Sequence, residues 1–236
     1  MQNYIFKPMD ALSELEKKQE WNMAREYLYN LWQSQKYDTF IHFRLISECW
    51  VVLSDHGCTI ELDDITYEIF LKTLNMATNF WLDNYDCIEI YSSMLGEMIT
   101  MFPELFYNDE NDDINYPIWY SIGNKLIKNS YKKYSGNEIV SMIYFGSFGY
   151  FSGYHKKYEE MRALVVSHID DYLKKDTLIE KYYIEMWTKN ISLDWNPKSC
   201  FFHSIDNKDV ASLLKAETNE NYNIEKKDIN GDGSID

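Results

Sequence analysis

Apolar residues in this chain recur every three or four positions over long stretches. Leu28, Leu31 and Trp32 follow Ala24 at that spacing, and Ile88, Tyr91, Leu95, Met98 and Phe102 continue without a miss. Ile69, Thr73, Met76 and Phe80 form a third set, and Tyr158, Met161, Val165, His168 and Tyr172 a fourth. Each set places one apolar stripe on one face of a helix. Alternation with period two is scarce, and its best stretch, Thr59 to Leu62, is too short to found a sheet. The pattern predicts helices over 13–34, 38–55, 64–82, 86–102, 116–132, 136–153, 155–174 and 177–192, with a further one over 206–217. The predicted class is all-α.

Start signals agree. Ser13/Glu16, Asp86/Glu89, Ser135/Glu138 and Thr177/Glu180 all have capping-box spacing. In that motif one side chain accepts an orphan N–H of the first turn while the acid reaches back to the cap. Phe102-Pro103 closes a helix, because a residue before proline is pushed out of the α region. Leu31-Trp32 with Tyr37-Asp38 recurs as Phe80-Trp81 with Tyr85-Asp86, and the 86/89 cap pair recurs at 135/138. A unit of this size suggests stacked helical hairpins of the HEAT or armadillo kind. The expected architecture is therefore antiparallel hairpins in a short irregular α-solenoid, with a compact bundle as the alternative. Residues 1–218 read as one helical domain and 219–236 as a polar acidic tail.

Charge narrows the partners. The 236 residues carry 38 Asp and Glu against 23 Lys and Arg, a net −15, with 45 % hydrophobic and 17 % aromatic residues. That apolar content supplies a core despite the charge. The acidity argues against nucleic-acid backbones and anionic membrane surfaces, both of which require clustered cations. Met1 to Asp10 shows no secretory pattern, and the longest uncharged stretch, Ile139 to Tyr154, is too short to span a bilayer. Cys49, Cys58, Cys87 and Cys200 are scattered, as are the five histidines, so no zinc spacing is assembled. A cytoplasmic protein with reduced thiols and no cofactor is expected.

Local chemistry is sparse. Asp228, Asn230, Asp232 and Ser234 stand at positions 1, 3, 5 and 7 of an EF-hand-like loop, with Gly233 at position 6. The stretch also resembles the opening of a dockerin repeat. The sequence stops at position nine, without the bidentate acid of position twelve, so no calcium binding is expected at cytosolic concentrations. Gly146, Gly149 and Gly153 fall on one helix face and suit close helix packing. His56-Gly57 reads as a helix C-terminus with its glycine cap. Adjacent acids such as Asp63/Asp64 and Asp170/Asp171 diverge on a helix and share neither a proton nor a substrate. No catalytic constellation emerges from spacing, and an enzyme is not expected.

Acids beside aromatic rings are the remaining signal. Asp109, Glu110, Asp112 and Asp113 are flanked by Tyr107, Tyr116 and Trp119, and Asp83 and Asp86 flank Tyr85. Such surfaces suit a basic protein partner, the charges accelerating encounter and the rings supplying anchors.

The runs Ala24-Arg-Glu-Tyr-Leu-Tyr-Asn-Leu-Trp32, Arg44-Leu-Ile-Ser-Glu-Cys-Trp50 and Met98-Ile-Thr-Met-Phe-Pro-Glu-Leu-Phe106 resemble small all-helical bacterial immunity proteins of polymorphic and contact-dependent toxin systems. The likeness covers about the first half of the chain and consists of packing patterns, so it transfers no site residue. It implies a cytosolic protein that neutralises one cognate toxin domain. A basic nuclease toxin would suit the charge. The rival reading is a non-enzymatic helical-repeat scaffold or adaptor for protein–protein interaction. Both imply the same fold.

Overall fold

Every residue from Phe40 to Leu53 is buried. The stretch starts where the Asp38 carboxylate accepts the N–H groups of Phe40 at 2.9 Å and Ile41 at 3.0 Å, a side-chain cap that nucleates the helix. In the computed structural model this is the third of ten α-helices among the described residues, which are 4–107, 112–152, 154–174 and 176–188. The order is α1 (Asp10–Lys17), α2 (Trp21–Ser34), α3 (Thr39–Ser54), α4 (Asp64–Asn84) and α5 (Glu89–Met101). A 3-10 turn at Pro103–Phe106 leads to α6 (Asp112–Tyr134), α7 (Glu138–Ser152), α8 (His155–Ser167), α9 (Ile169–Tyr172) and α10 (Leu178–Thr188). The only pairing resembling a strand among these residues is an isolated bridge between His56 and Ile60, beside the short alternating stretch. The protein is all-α, as the periodicity predicts.

These helices belong to one compact unit, Met1–Lys189. The expected helix over 206–217, the boundary near 218 and the loop of Asp228, Asn230, Asp232 and Ser234 lie outside the described residues.

A helix apolar all round must sit inside the others. Helix α3 packs against α2, α4, α5 and α10, and Phe43 stacks on Phe6 from the N-terminal segment. The two ends of this unit also meet: Tyr172 O accepts the Ile5 N–H at 3.0 Å, and the Ser13 hydroxyl donates to Asp176 O at 2.8 Å. In a linear solenoid each repeat touches only its neighbours. Helices that close around a central one make a compact bundle.

Three of the four expected capping boxes are absent, each displaced by a stronger interaction. Helix α1 already runs from Asp10 through Ser13, whose hydroxyl bonds Asp176, while Glu16 points into the core. Helix α5 starts at Glu89, and the hydroxyl of Ser92, not Asp86, receives the Ile88 N–H at 2.7 Å. Asn137, not Ser135, accepts the first-turn N–H groups of Ile139 and Val140. Only Thr177/Glu180 forms, with the Glu180 carboxylate accepting the Thr177 N–H at 3.1 Å and its hydroxyl at 2.8 Å.

The expected single helix over 13–34 is two helices. Gln19 takes φ 58°, the Glu20 N–H bonds Leu15 O, and the Gln19 N–H bonds Glu16 O. That is a Schellman stop with glutamine in the left-handed position, where glycine is the usual choice. On α4 the buried line is Phe70, Leu74, Ala77 and Trp81, one position round from the expected stripe, and Met76 is exposed.

Inside the bundle, the Arg44 guanidinium (1 % exposed) donates to Glu16 at 2.7 Å and to Glu48 at 3.3 Å. The second Glu16 oxygen accepts the Leu178 N–H at the start of α10. One acid thus joins α1, α3 and α10. Burial pushes the Glu48 carboxyl well above its ordinary 4.5, with the Glu16 charge adding and Arg44 opposing. Burial alone pushes Glu97 up to about 8.

Helices α5 and α6 touch backbone to backbone. A Cβ on Gly96 would lie 2.7 Å from Gly123 O, and one on Gly123 would lie 2.8 Å from Gly96 O. This is the closest glycine packing in the described structure. Gly146, from the expected glycine face, meets the Tyr158 ring instead, at 3.0 Å from a built Cβ. Gly149 and Gly153 lie outside the described side chains.

Two outcomes follow. Gly96→Ala should lower stability by about 2 kcal/mol or more, because a helix backbone cannot give way cheaply. Gly136→Ala, with nothing within 4 Å of the new methyl, should shift a urea midpoint little. For the buried acids, a carboxyl with a raised folded pKa supports folding fully below 4.5 and loses that support as pH climbs to about 8. His42, held down to about 4 by burial, acts only below its ordinary 6.5. Melting temperature should therefore fall between pH 6.5 and 8.5, and Glu97→Gln should flatten that fall.

Candidate protein-binding surface

The two acid–aromatic clusters read from the sequence sit at opposite ends of α5, whose 13 residues span about 20 Å. They are two patches, each with its own surroundings.

At the α4–α5 turn, Asp83 and Asp86 are exposed and Tyr85 is half-buried. Its ring lies 4.7 Å from Trp81 and 5.8 Å from His42. Burial raises the Tyr85 hydroxyl, and Tyr37 and Asp38 of the α2–α3 turn add to the effect. The repeated Trp, Tyr and Asp positions thus converge in space. Trp32 stacks on His42 at 4.7 Å and meets Phe80 edge-on at 5.4 Å, while the Lys36 ammonium sits 3.5 Å from the Trp32 ring. Tyr37 is 70 % exposed. His42 Nε2 bonds Ala77 O at 2.8 Å, so Nε2 carries the proton and Nδ1 is the free acceptor of a neutral ring. This patch is chiefly core, with its rings turned inward.

The other end is different. The expected acidic connector is partly ordered into helix: Asp112 and Asp113 open α6, where negative charge favours the helix dipole. Asp109 and Glu110 lie outside the described residues. Trp119 is half-buried and stacks on buried Phe106 at 5.7 Å, so its ring props α6 on the 3-10 turn. Tyr116 stacks on Tyr120 at 6.4 Å, and Tyr107 is half-buried. Ile114 (61 % exposed) and Ile118 (51 % exposed) face solvent one turn apart, next to exposed Pro117. Glu104 of the 3-10 turn acts on both Tyr116 of α6 and Tyr67 of α4, which also feels Glu68. Tyr67 in turn packs on His56, at 5.1 Å, in the α3–α4 turn. The 3-10 turn packs against both α4 and α6.

Sequence reasoning about local clusters passed over Ile114, Ile118, Tyr67, Glu68 and Glu104. A charge window would have pointed to them. Between Glu61 and Asn124 there are thirteen Asp and Glu against one Lys, a net −12 of the chain's −15.

No three His, Cys, Asp or Glu side chains come together as a metal site among the described residues. None of their helices is long and apolar enough to cross a membrane. No family model, curated protein or solved structure matches the chain.

Trp119→Ala should cost about 3 kcal/mol of stability, since it strips the ring from Phe106. Ile114→Ala and Ile118→Ala should each change stability by less than about 0.5 kcal/mol, because the side chains face solvent. Thermal and urea unfolding of the three variants separate packing from surface roles.

Proposed function

We propose that this protein is a non-catalytic binding partner of a basic protein, and specifically a cytoplasmic bacterial immunity protein that neutralises a cognate toxin domain. The observation that carries the reading is an apolar pair, Ile114 and Ile118, exposed on α6 beside the densest run of acid in the chain. Apolar anchors within a ring of one charge are what a charged protein partner requires: the field steers encounter, and the buried contact holds it. Tyr116, Tyr107, Glu104 and Glu68 form its rim, and Asp109, Glu110, Asp112 and Asp113 extend it in sequence. At the far end of α5, exposed Asp83 and Asp86 beside half-buried Tyr85 would offer a second, smaller contact, carried by the acids.

Helix α3 is enclosed by α2, α4, α5 and α10, so recognition falls to other helices and to the turns, among them the start of α6. The chemistry of the toxin stays open, with a basic nuclease as the best electrostatic match.

Co-expression with the product of the adjoining gene, scored by survival, tests the role directly. Replacing Asp109, Glu110, Asp112 and Asp113 by their amides should slow association at least tenfold at low salt and leave the melting temperature nearly unchanged. Unchanged association in that variant would place the interface elsewhere, and failure to protect against the neighbouring toxin would overturn the immunity role.

A further inference from the structure

Helix α6 carries a seam open to solvent along its whole length. Ile114, Ile118, Ser121, Lys125, Lys128 and Lys132 follow one another by alternating steps of four and three, and all six are exposed. On an α-helix such positions share an arc of about 80°. The opposite side is enclosed: Gly123 meets Gly96, and Leu126, Ile127 and Ser130 are buried. A four–three repeat sustained over about five turns is the spacing of a helix that pairs with another helix.

The seam is chemically uneven. Isoleucine occupies its first half and lysine its second. From Lys125 to Lys157 there are six Lys against one Glu, a net +5 inside a chain of net −15. Lys125, Lys128 and Lys132 make no ion pair among the described residues, and the Lys128 ammonium lies 5.0 Å from the Phe148 ring. Acid stands at the other end. Asp112 and Asp113 open α6, Asp109 and Glu110 precede them in sequence, and Glu104 of the 3-10 turn is exposed. The helix thus runs from acid to base over about 35 Å.

We propose that this seam is a self-association face, on which a second copy of the chain lies antiparallel about a two-fold axis. A helix that is acidic at one end and basic at the other complements its own copy only when that copy is reversed. An axis passing beside residue 123 sets Ile114 opposite the partner's Lys132, Ile118 opposite the partner's Lys128, and Ser121 opposite the partner's Lys125. Lysine methylenes then cover the isoleucines, while the ammonium groups reach toward the acids at the partner's α6 start. The two halves of the contact are identical, so the pairing closes at two copies. A nucleic acid suits the face less well, because the acidic half repels the polyanion that the lysines attract. One helix per copy buries little, near or below the low end of specific interfaces at about 1,200 Å². Association is therefore weak and depends on charge. The inference does not rest on the function proposed above, but the two meet at Ile114 and Ile118, where a bound toxin would displace the second copy.

Sedimentation of the full chain over a concentration series should show a monomer–dimer equilibrium at about 0.05 M sodium chloride. Raising salt to about 0.5 M shortens the reach of charge and should return the monomer. Two charge-reversed variants test the orientation. One carries Lys125→Glu, Lys128→Glu and Lys132→Glu; the other carries Asp109→Lys, Glu110→Lys, Asp112→Lys and Asp113→Lys. Each alone should stay monomeric, and an equal mixture of the two should dimerise as the natural chain does. Ser121→Arg, a single exposed change at the centre of the seam, should weaken dimerisation about tenfold and leave the melting temperature nearly unchanged. A monomer at every concentration in low salt would overturn the proposal. So would dimers of undiminished strength in Ser121→Arg, a mixture that stays monomeric while both variants keep their helical circular dichroism, or species that grow beyond the dimer.

Discussion

A guanidinium with no route to water organises this molecule. Arg44 stands in the middle of a helix buried on every side, where Glu16 and Glu48 pair with its charge and the Phe6 ring lies 5.1 Å away. Desolvating such a group costs several kcal/mol unless it is paired, so the positions of its partners are tightly specified. Glu16 comes from α1 and also receives the first N–H of α10, which fixes both ends of the helical unit against its centre. The left-handed stop at Gln19 follows from the same requirement. Helix α1 must end soon after Glu16 enters the core, so that α2 can turn to lay Ala24, Leu28 and Trp32 against α3 and α4.

With its centre closed in this way, the bundle places its charge outside in an uneven distribution. Thirteen of the chain's acids fall between Glu61 and Asn124, and the backbone contact of Gly96 with Gly123 holds α6 hard against α5. Trp119 fixes the first turns of α6 over Phe106, which leaves Ile114 and Ile118 directed outward. A rigid prop beneath exposed apolar side chains keeps the ordering cost of binding low. In the proposed binding role, the acidic field would govern the rate of encounter and the apolar pair the residence time.

The helical class, and the limits of most helices to within a few residues, were legible because amphipathic spacing is a local property enforced by burial. The weak points were local signals overruled at a distance. Ser13 and Glu16 have perfect cap spacing, but Asp176 and Arg44, far along the chain, offer them better partners. Asp86 lost its cap to Ser92, a residue inside the helix, and Gln19 ended a helix without the glycine that normally announces it. The close approach of Gly96 and Gly123 was silent in the sequence, since each glycine has a reason to be there only once the other helix is present.

The same division holds for the candidate site. Sequence by itself determined the surplus of acid, the aromatic neighbours of Asp83, Asp86, Asp112 and Asp113, and an all-helical chain, because composition and periodicity act residue by residue. Tertiary structure decided that the two clusters lie about 20 Å apart, that Trp119 is a prop and Ile114 an exposed side chain, and that Glu97 lacks a counter-ion. Those outcomes depend on which helix faces meet. That choice is made by packing and by the pairing of buried charge, which no short window of sequence contains.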